Sequence, residues 1–150
     1  MPAGSAVAVA VCLIAGLGGA VQAAVMGRFG ERIGVLEAVG FSTLVTAVVA
    51  LAAVAAARQS LGGVAGGLRA PPWLWVGGVM SALIVFAVAL APPRIGTTTT
   101  IALVITGNLA MATVIDRYGL FGLEQIGLNP VRILGIALLA FGAALTLYRP

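Results

Sequence analysis

Two amides and a run of hydroxyls stand out from an otherwise apolar sequence: Gln22, Asn108, and the four threonines Thr97 to Thr100. Each amide carries two donors and an acceptor that hydrocarbon cannot satisfy, so each needs a partner in protein, water or a bound solute. On a helix, Thr97, Thr100, Val104, Asn108 and Met111 or Ala112 follow three-and-four spacing, which puts Thr97 and Asn108 on nearly one stripe. Such a stripe has the chemistry to orient a polar solute by hydrogen bonds. It also has the chemistry of a helix that ties itself to its neighbours, because a threonine hydroxyl can bond the carbonyl one turn back and an asparagine can bridge helices. Backbone bonding is the favoured reading for the threonines taken singly, and both readings stand for Gln22 and Asn108.

The acids are Glu31, Glu37, Asp116 and Glu124. Glu37 opens the second apolar run and Asp116 closes the fourth, so these two are the candidate coupling carboxylates. Arg117, next to Asp116, offers the alternative of an interfacial ion pair or an end cap. No covalent chemistry, metal or cofactor is expected, since histidine is absent and the scattered acids make neither a metal-ligand cluster nor a catalytic triad. The glycines of "AGLGGA" follow no strand and lack the full G-x-G-x-x-G spacing, so they are not a dinucleotide fingerprint. Cys12 stands alone inside the first apolar run, excludes a disulfide framework, and reads as a buried structural thiol.

The elements that must position these groups follow from composition. Of 150 residues, 61% are hydrophobic and 8% charged, against about a quarter charged in a soluble domain. Long windows without polar positions on alternate faces argue against a soluble fold. The net charge of +4 comes from eight arginines that sit singly between apolar runs, not on one face as a nucleic-acid binder would place them. Five runs approach the roughly 20 residues that cross a bilayer, at about 4–25, 36–57, 73–91, 96–115 and 131–148. The expectation is an all-α integral membrane protein, a single five-helix domain over 1–150 whose first partner is the lipid bilayer. The first run lacks a basic leader and is too long for a secretory signal, so it is expected to stay as a helix.

Prolines mark the joints: Pro71 and Pro72 before the third run, Pro92 and Pro93 after it, and Pro130 before the fifth. Trp73, Trp75, Tyr118 and Tyr148 fall near run ends, where an amphipathic ring suits the headgroup layer. Gly16 with Ala20, Gly77 with Ser81 and Gly78 with Ala82 are small-xxx-small pairs that let helices approach closely. Arginine asymmetry should set orientation, yet four fall on each side, Arg149 among them. A short, arginine-poor chain can give that balance by itself. So can a chain that inserts both ways and pairs with an inverted copy or paralogue, the inverted-repeat architecture of many transporters. Five spans leave the termini on opposite sides, so two chains would be needed.

The stretch "PPWLWVGGVMSALIVFAVALAPPRIGTTTTIALVITGNLAMATVIDRYGLFG", followed by "NPVRILGIALLAFGAALTLYR", resembles the YdcZ-type family of the drug/metabolite transporter superfamily. That family has about five helices, with W-x-W-x-GG opening the third and a P-x-x-G joint after it. A G-Q pair lies in its fourth helix, I-D-x-[FY]-G-L-F-G follows, and R-x-x-G opens the fifth. The resemblance covers Trp73 to Arg149, and "VQAAVMGRFG" resembles the end of the family's first helix. It marks Gln22, Gly77, Gly78, Pro93, Gly96, Gly107, Asp116, Gly119, Gly122, Arg132 and Gly135. Two positions depart from the pattern: the family's Gln is Asn108 here, with the same donors and acceptor, and the Asn expected four residues after Gln22 is Met26.

The resemblance implies a multi-pass protein of the bacterial inner membrane that exports solutes. The expected function is a small transporter subunit for small polar or amphipathic solutes, working by alternating access as an antiparallel homodimer or heterodimer. Gln22, Thr97, Thr100 and Asn108 are the expected substrate contacts, and Gly16, Gly77, Gly78, Gly107 and Gly135 the expected helix-packing positions. The alternative is a non-transporting membrane scaffold or accessory subunit whose polar residues only join helices. A channel lacks support, because no ring of charges or carbonyl filter is visible.

Overall fold

A computed structural model describes residues 3–58, 62–127 and 129–148. In chain order these form α1 (Ala3–Ile33), α2 (Val35–Arg58), a short α3 (Gly62–Gly67), a 3-10 turn (Pro72–Trp75), α4 (Val76–Leu90) and α5 (Pro92–Ile95). They continue with α6 (Thr97–Tyr118), a second 3-10 turn (Leu120–Gly122) and α7 (Pro130–Thr146). No strand occurs among the described residues. Among the described residues four segments are long and apolar enough to cross a membrane, Ala6–Ile33, Val35–Arg58, Pro72–Ile95 and Thr97–Tyr118, and the last is the least apolar of them. The fifth expected span is α7, whose 17 residues rise about 26 Å, at the lower edge of what crosses the hydrocarbon core. Arg149, used in the orientation count, lies outside the described residues.

The largest departure from the sequence-based expectation lies in "MGRFGERIGV", residues 26–35, which the runs at 4–25 and 36–57 leave between them as a connection. It is helical through Ile33, and only Gly34 interrupts the helices. No proline stops α1 there, and Arg28 donates to Glu31 at i,i+3 (3.2 Å), so these charges ride on the helix and need no loop. Gly34 has φ +102°, a conformation open to glycine and costly to a residue with a Cβ. Its amide still donates to the Gly30 carbonyl, and its own carbonyl accepts from the Ala38 amide. The chain therefore passes from one helix to the next through a single residue.

Contacts divide the chain into two compact units, residues 25–90 and residues 1–24 with 91–150. In the first, α2 packs on α4, and Met26, Ala38, Val88 and Ala89 are buried. The Phe29 and Phe41 rings meet edge to face, with centroids 5.6 Å apart. Gly30 lies so near the Ala89 carbonyl that a Cβ on it would approach the oxygen to 3.1 Å, so the last turns of α1 pack closely on the end of α4. Position 26, where the family pattern has Asn, is thus a packing position filled by methionine. Trp75 donates its indole N–H to the Gly67 carbonyl at 3.2 Å, pinning the turn before α4.

In the second unit α6 packs on α7. The start of α6 is tied to the end of α7 by Thr99, and its end to the start of α7 by Asp116, so the two helices run antiparallel. Asn129 caps α7 by accepting the Val131 amide, and Pro130 occupies the first helical position, where its missing N–H costs nothing.

Large apolar side chains stay exposed along every long helix, among them Leu17, Phe41, Leu83, Met111 and Leu134. A water-soluble monomer does not carry such a surface. Lipid can cover it, since backbone groups are satisfied within each helix. Cys12, read from the sequence as buried, is exposed, because residues 6–18 of α1 all face outward.

Candidate functional site

The site is built on the first turn of α6. Gly96 takes φ 86° and ψ 153°, a backbone region that glycine alone occupies readily, and its carbonyl turns back into the helix. That oxygen accepts both the Thr100 amide (3.1 Å) and the Thr100 hydroxyl (2.8 Å). The four threonines consequently separate into two pairs. Thr99 and Thr100 are buried, and the Thr99 hydroxyl donates to the Thr146 carbonyl at 2.8 Å, joining α6 to α7. Thr97 is half-buried and Thr98 exposed.

Thr97 and Thr98 border a cleft of about 460 Å³, completed by Ile101, Ala102 and Ile105 of α6, Leu138, Leu139, Gly142 and Ala143 of α7, and Ala20 of α1. Its walls are aliphatic, with the two threonines at the α6 N-terminal end. The volume lies within the usual range of small-molecule sites. Further along the same helix pair a smaller cleft of about 300 Å³ is lined by Ala110, Thr113, Ile133, Ile136, Ala137 and Ala140. The hydroxyls along this part of α6 are committed: Thr106 donates to the Ala102 carbonyl and Thr113 to the Leu109 carbonyl, each at 2.8 Å.

The expected substrate contacts are placed differently from one another. Thr97 lines the larger cleft; Thr100 is buried behind it with its hydroxyl bound to Gly96. Asn108 and Gln22 are exposed and do not line the cleft. Asn108 nevertheless continues the stripe of Thr97, Ile101 and Ile105, one turn beyond the cleft. Gln22 lies two residues past Ala20, on the opposite side of α1 from the cleft wall.

Of the two carboxylates, Asp116 accepts from the guanidinium of Arg132, in the first turn of α7. Its backbone carbonyl accepts the Ile126 amide at 2.9 Å, so the loop after α6 folds back over the same residue. Gly119 ends α6 in the left-handed conformation, and Gln125 donates its side-chain amide to the Tyr118 carbonyl. Glu37 is exposed in the first turn of α2 and lies against Gly34, in the space a Cβ there would occupy. A carboxylate at that end also complements the helix dipole. No group of three or more His, Cys, Asp or Glu could hold a metal among the described residues.

Around Gly16, Gly77, Gly78, Gly107 and Gly135 an added Cβ would meet nothing within 4 Å. These small faces open outward from the chain. Sequence reasoning missed Thr98 and the aliphatic cleft walls, since Ile101, Ile105, Leu138 and Leu139 are apolar residues in apolar helices and carry no contrast. The partner of Asp116 was legible only in part: Arg132 stood among the family marks, but proximity in sequence pointed to Arg117.

A family model described as "Putative inner membrane exporter, YdcZ" matches residues 7–145. Neither the curated proteins nor the solved structures contain a match.

Proposed function

The chain belongs to the YdcZ-type family, and from that premise we propose an exporter subunit that moves small polar or amphipathic solutes by alternating access in an antiparallel pair. The family and the apolar helices make the chain a multi-pass membrane transporter of the inner membrane; direction, pairing and cargo are the added steps. The observation that carries the proposal is the α6–α7 cleft, which opens beside Thr97 on the stripe that continues to Asn108. In this reading Thr97 and Asn108 meet solute in succession and Thr100 fixes the start of α6, while Gln22, on the far side of α1 from the cleft, meets solute only where the partner chain completes the path. The partner chain is a second copy or an inverted paralogue. The glycine faces that meet nothing among the described residues and the even arginine split both suit such a pair. Glu37 and Asp116 are the carboxylates available for coupling, and Asp116 would then have to release Arg132 during the cycle.

Tagging both termini tests the pairing: each terminus should be found on both sides of the membrane for a homodimer. A fixed orientation, with no inverted paralogue co-purifying, counts against it. If the chain is a scaffold instead, Asn108→Leu will change assembly without any separable change in flux.

A further inference from the structure

The described residues include all nine threonines of the chain, and their hydroxyls fall into two classes. Seven donate to backbone carbonyls: Thr43, Thr46, Thr99, Thr100, Thr106, Thr113 and Thr146. Thr97 and Thr98 make no such bond among the described residues, and both border the α6–α7 cleft. A helical threonine normally satisfies itself on the carbonyl one turn back. These two lie in the first turn of α6, and the first four N–H groups of a helix likewise lack intrahelical partners apart from those a cap supplies. The end of the cleft is therefore rich in hydrogen-bonding capacity that the described residues do not use. The rest of its wall is aliphatic, and among the described residues no charged side chain lines it.

We propose that this cleft binds an uncharged amphipathic molecule, its hydrogen-bonding group on Thr97 and Thr98 and its apolar body on Ile101, Ile105, Leu138 and Leu139. The chemistry of the wall selects the class. A formal charge would enter an aliphatic cleft with no counter-charge, at a large desolvation cost. A hydrocarbon without a polar group would cover the half-buried Thr97 hydroxyl without giving it a partner and would leave the exposed Thr98 hydroxyl unused. A hydroxyl, carbonyl or amide head on an aliphatic body meets both requirements. The inference rests on the exporter reading for the meaning of occupancy, as the cargo class, but binding is measurable without flux.

The probe is 3-azioctanol, a neutral alcohol whose diazirine labels the residues around it on irradiation, applied to the full chain in lipid nanodiscs with labelled peptides mapped by mass spectrometry. Saturable labelling at Ile101, Ile105, Leu138 or Leu139, competed by octan-1-ol at least tenfold more effectively than by octanoate or octyltrimethylammonium, is the expected result. The double variant Thr97→Val and Thr98→Val keeps side-chain shape, removes both hydroxyls, and should weaken labelling about tenfold. Leu139→Trp should block it by filling the cleft. Labelling spread without saturation over the outward faces of α1 and α2 overturns the proposal, as does equal competition by the charged analogues. A cleft left unlabelled while its residues crosslink between two chains overturns it too, since a second copy would then cover the wall. Labelling as expected, in a protein that moves no solute of either class across proteoliposomes, keeps the site and removes the exporter reading. Flux of a solute that is indifferent to Leu139→Trp, with the cleft unlabelled, keeps the exporter reading and removes the site.

Discussion

At its N-terminal end α6 leaves two hydroxyls unused beside an open cleft, whereas at its C-terminal end the acid, the last carbonyls and the following loop are closed by partners. Asp116 holds Arg132, its carbonyl takes the Ile126 amide, and the Tyr118 carbonyl takes Gln125. The same helix thus spends polar groups on structure at one end and keeps them available at the other. What separates the ends is the partner within reach, not the type of residue. The acid at the helix end, which in sequence reads either as an interfacial ion pair or cap or as a coupling group, meets Arg132 of α7 in the fold. A threonine run looks like self-satisfied backbone bonding, and among its four members only Thr100 bonds the carbonyl one turn back.

The contrast can be broken or sharpened by substitution, with stability read as reversible denaturation in mixed micelles. Gly96→Val should have the largest effect, about 2–3 kcal/mol, because valine cannot adopt the Gly96 backbone without strain and the turn that opens α6 would shift. At the closed end, Asp116→Ala should cost about 2 kcal/mol, the scale of a hydrogen bond to a charged group. Exchanging the two residues, Asp116→Arg with Arg132→Asp, should recover part of the loss if the tie is structural. If Asp116 instead carries coupling, flux will stay lost in that exchange although stability returns. Thr99→Val should cost about 0.6–1 kcal/mol, as measured inter-helix hydrogen bonds in membranes do. Thr97→Val, which removes no hydrogen bond among the described residues, should change stability by less than about 0.5 kcal/mol. Equal losses at Thr97 and Thr99 would erase the distinction between the two pairs.

Much of this fold was legible because membrane helices announce themselves by length and apolarity, and their joints by proline and glycine. Pro93 to Gly96 and Pro130 stand at breaks as the sequence implied. The extension of α1 to Ile33 was not legible, since Arg28, Glu31 and Arg32 resemble a polar connection in composition and become a helix surface only through i,i+3 spacing. The division of the threonines was hidden for a related reason. Whether a hydroxyl is spent depends on which carbonyl lies across from it, and Thr146, the partner of Thr99, is 47 residues away. Arg132 was obscured in the same way by Arg117, adjacent in sequence but not the residue that meets Asp116 in space.

The most direct test of the central claim is a transport and growth-protection screen of cells that express the chain with its pairing partner, followed by Asn108→Ala and Thr97→Val on every solute that scores. The expected result is at least a tenfold loss of flux in each variant at unchanged membrane abundance and unchanged stability. A solute carried by both variants as fast as by the wild-type protein would contradict the account, because the open stripe of α6 would then not lie on the solute's path.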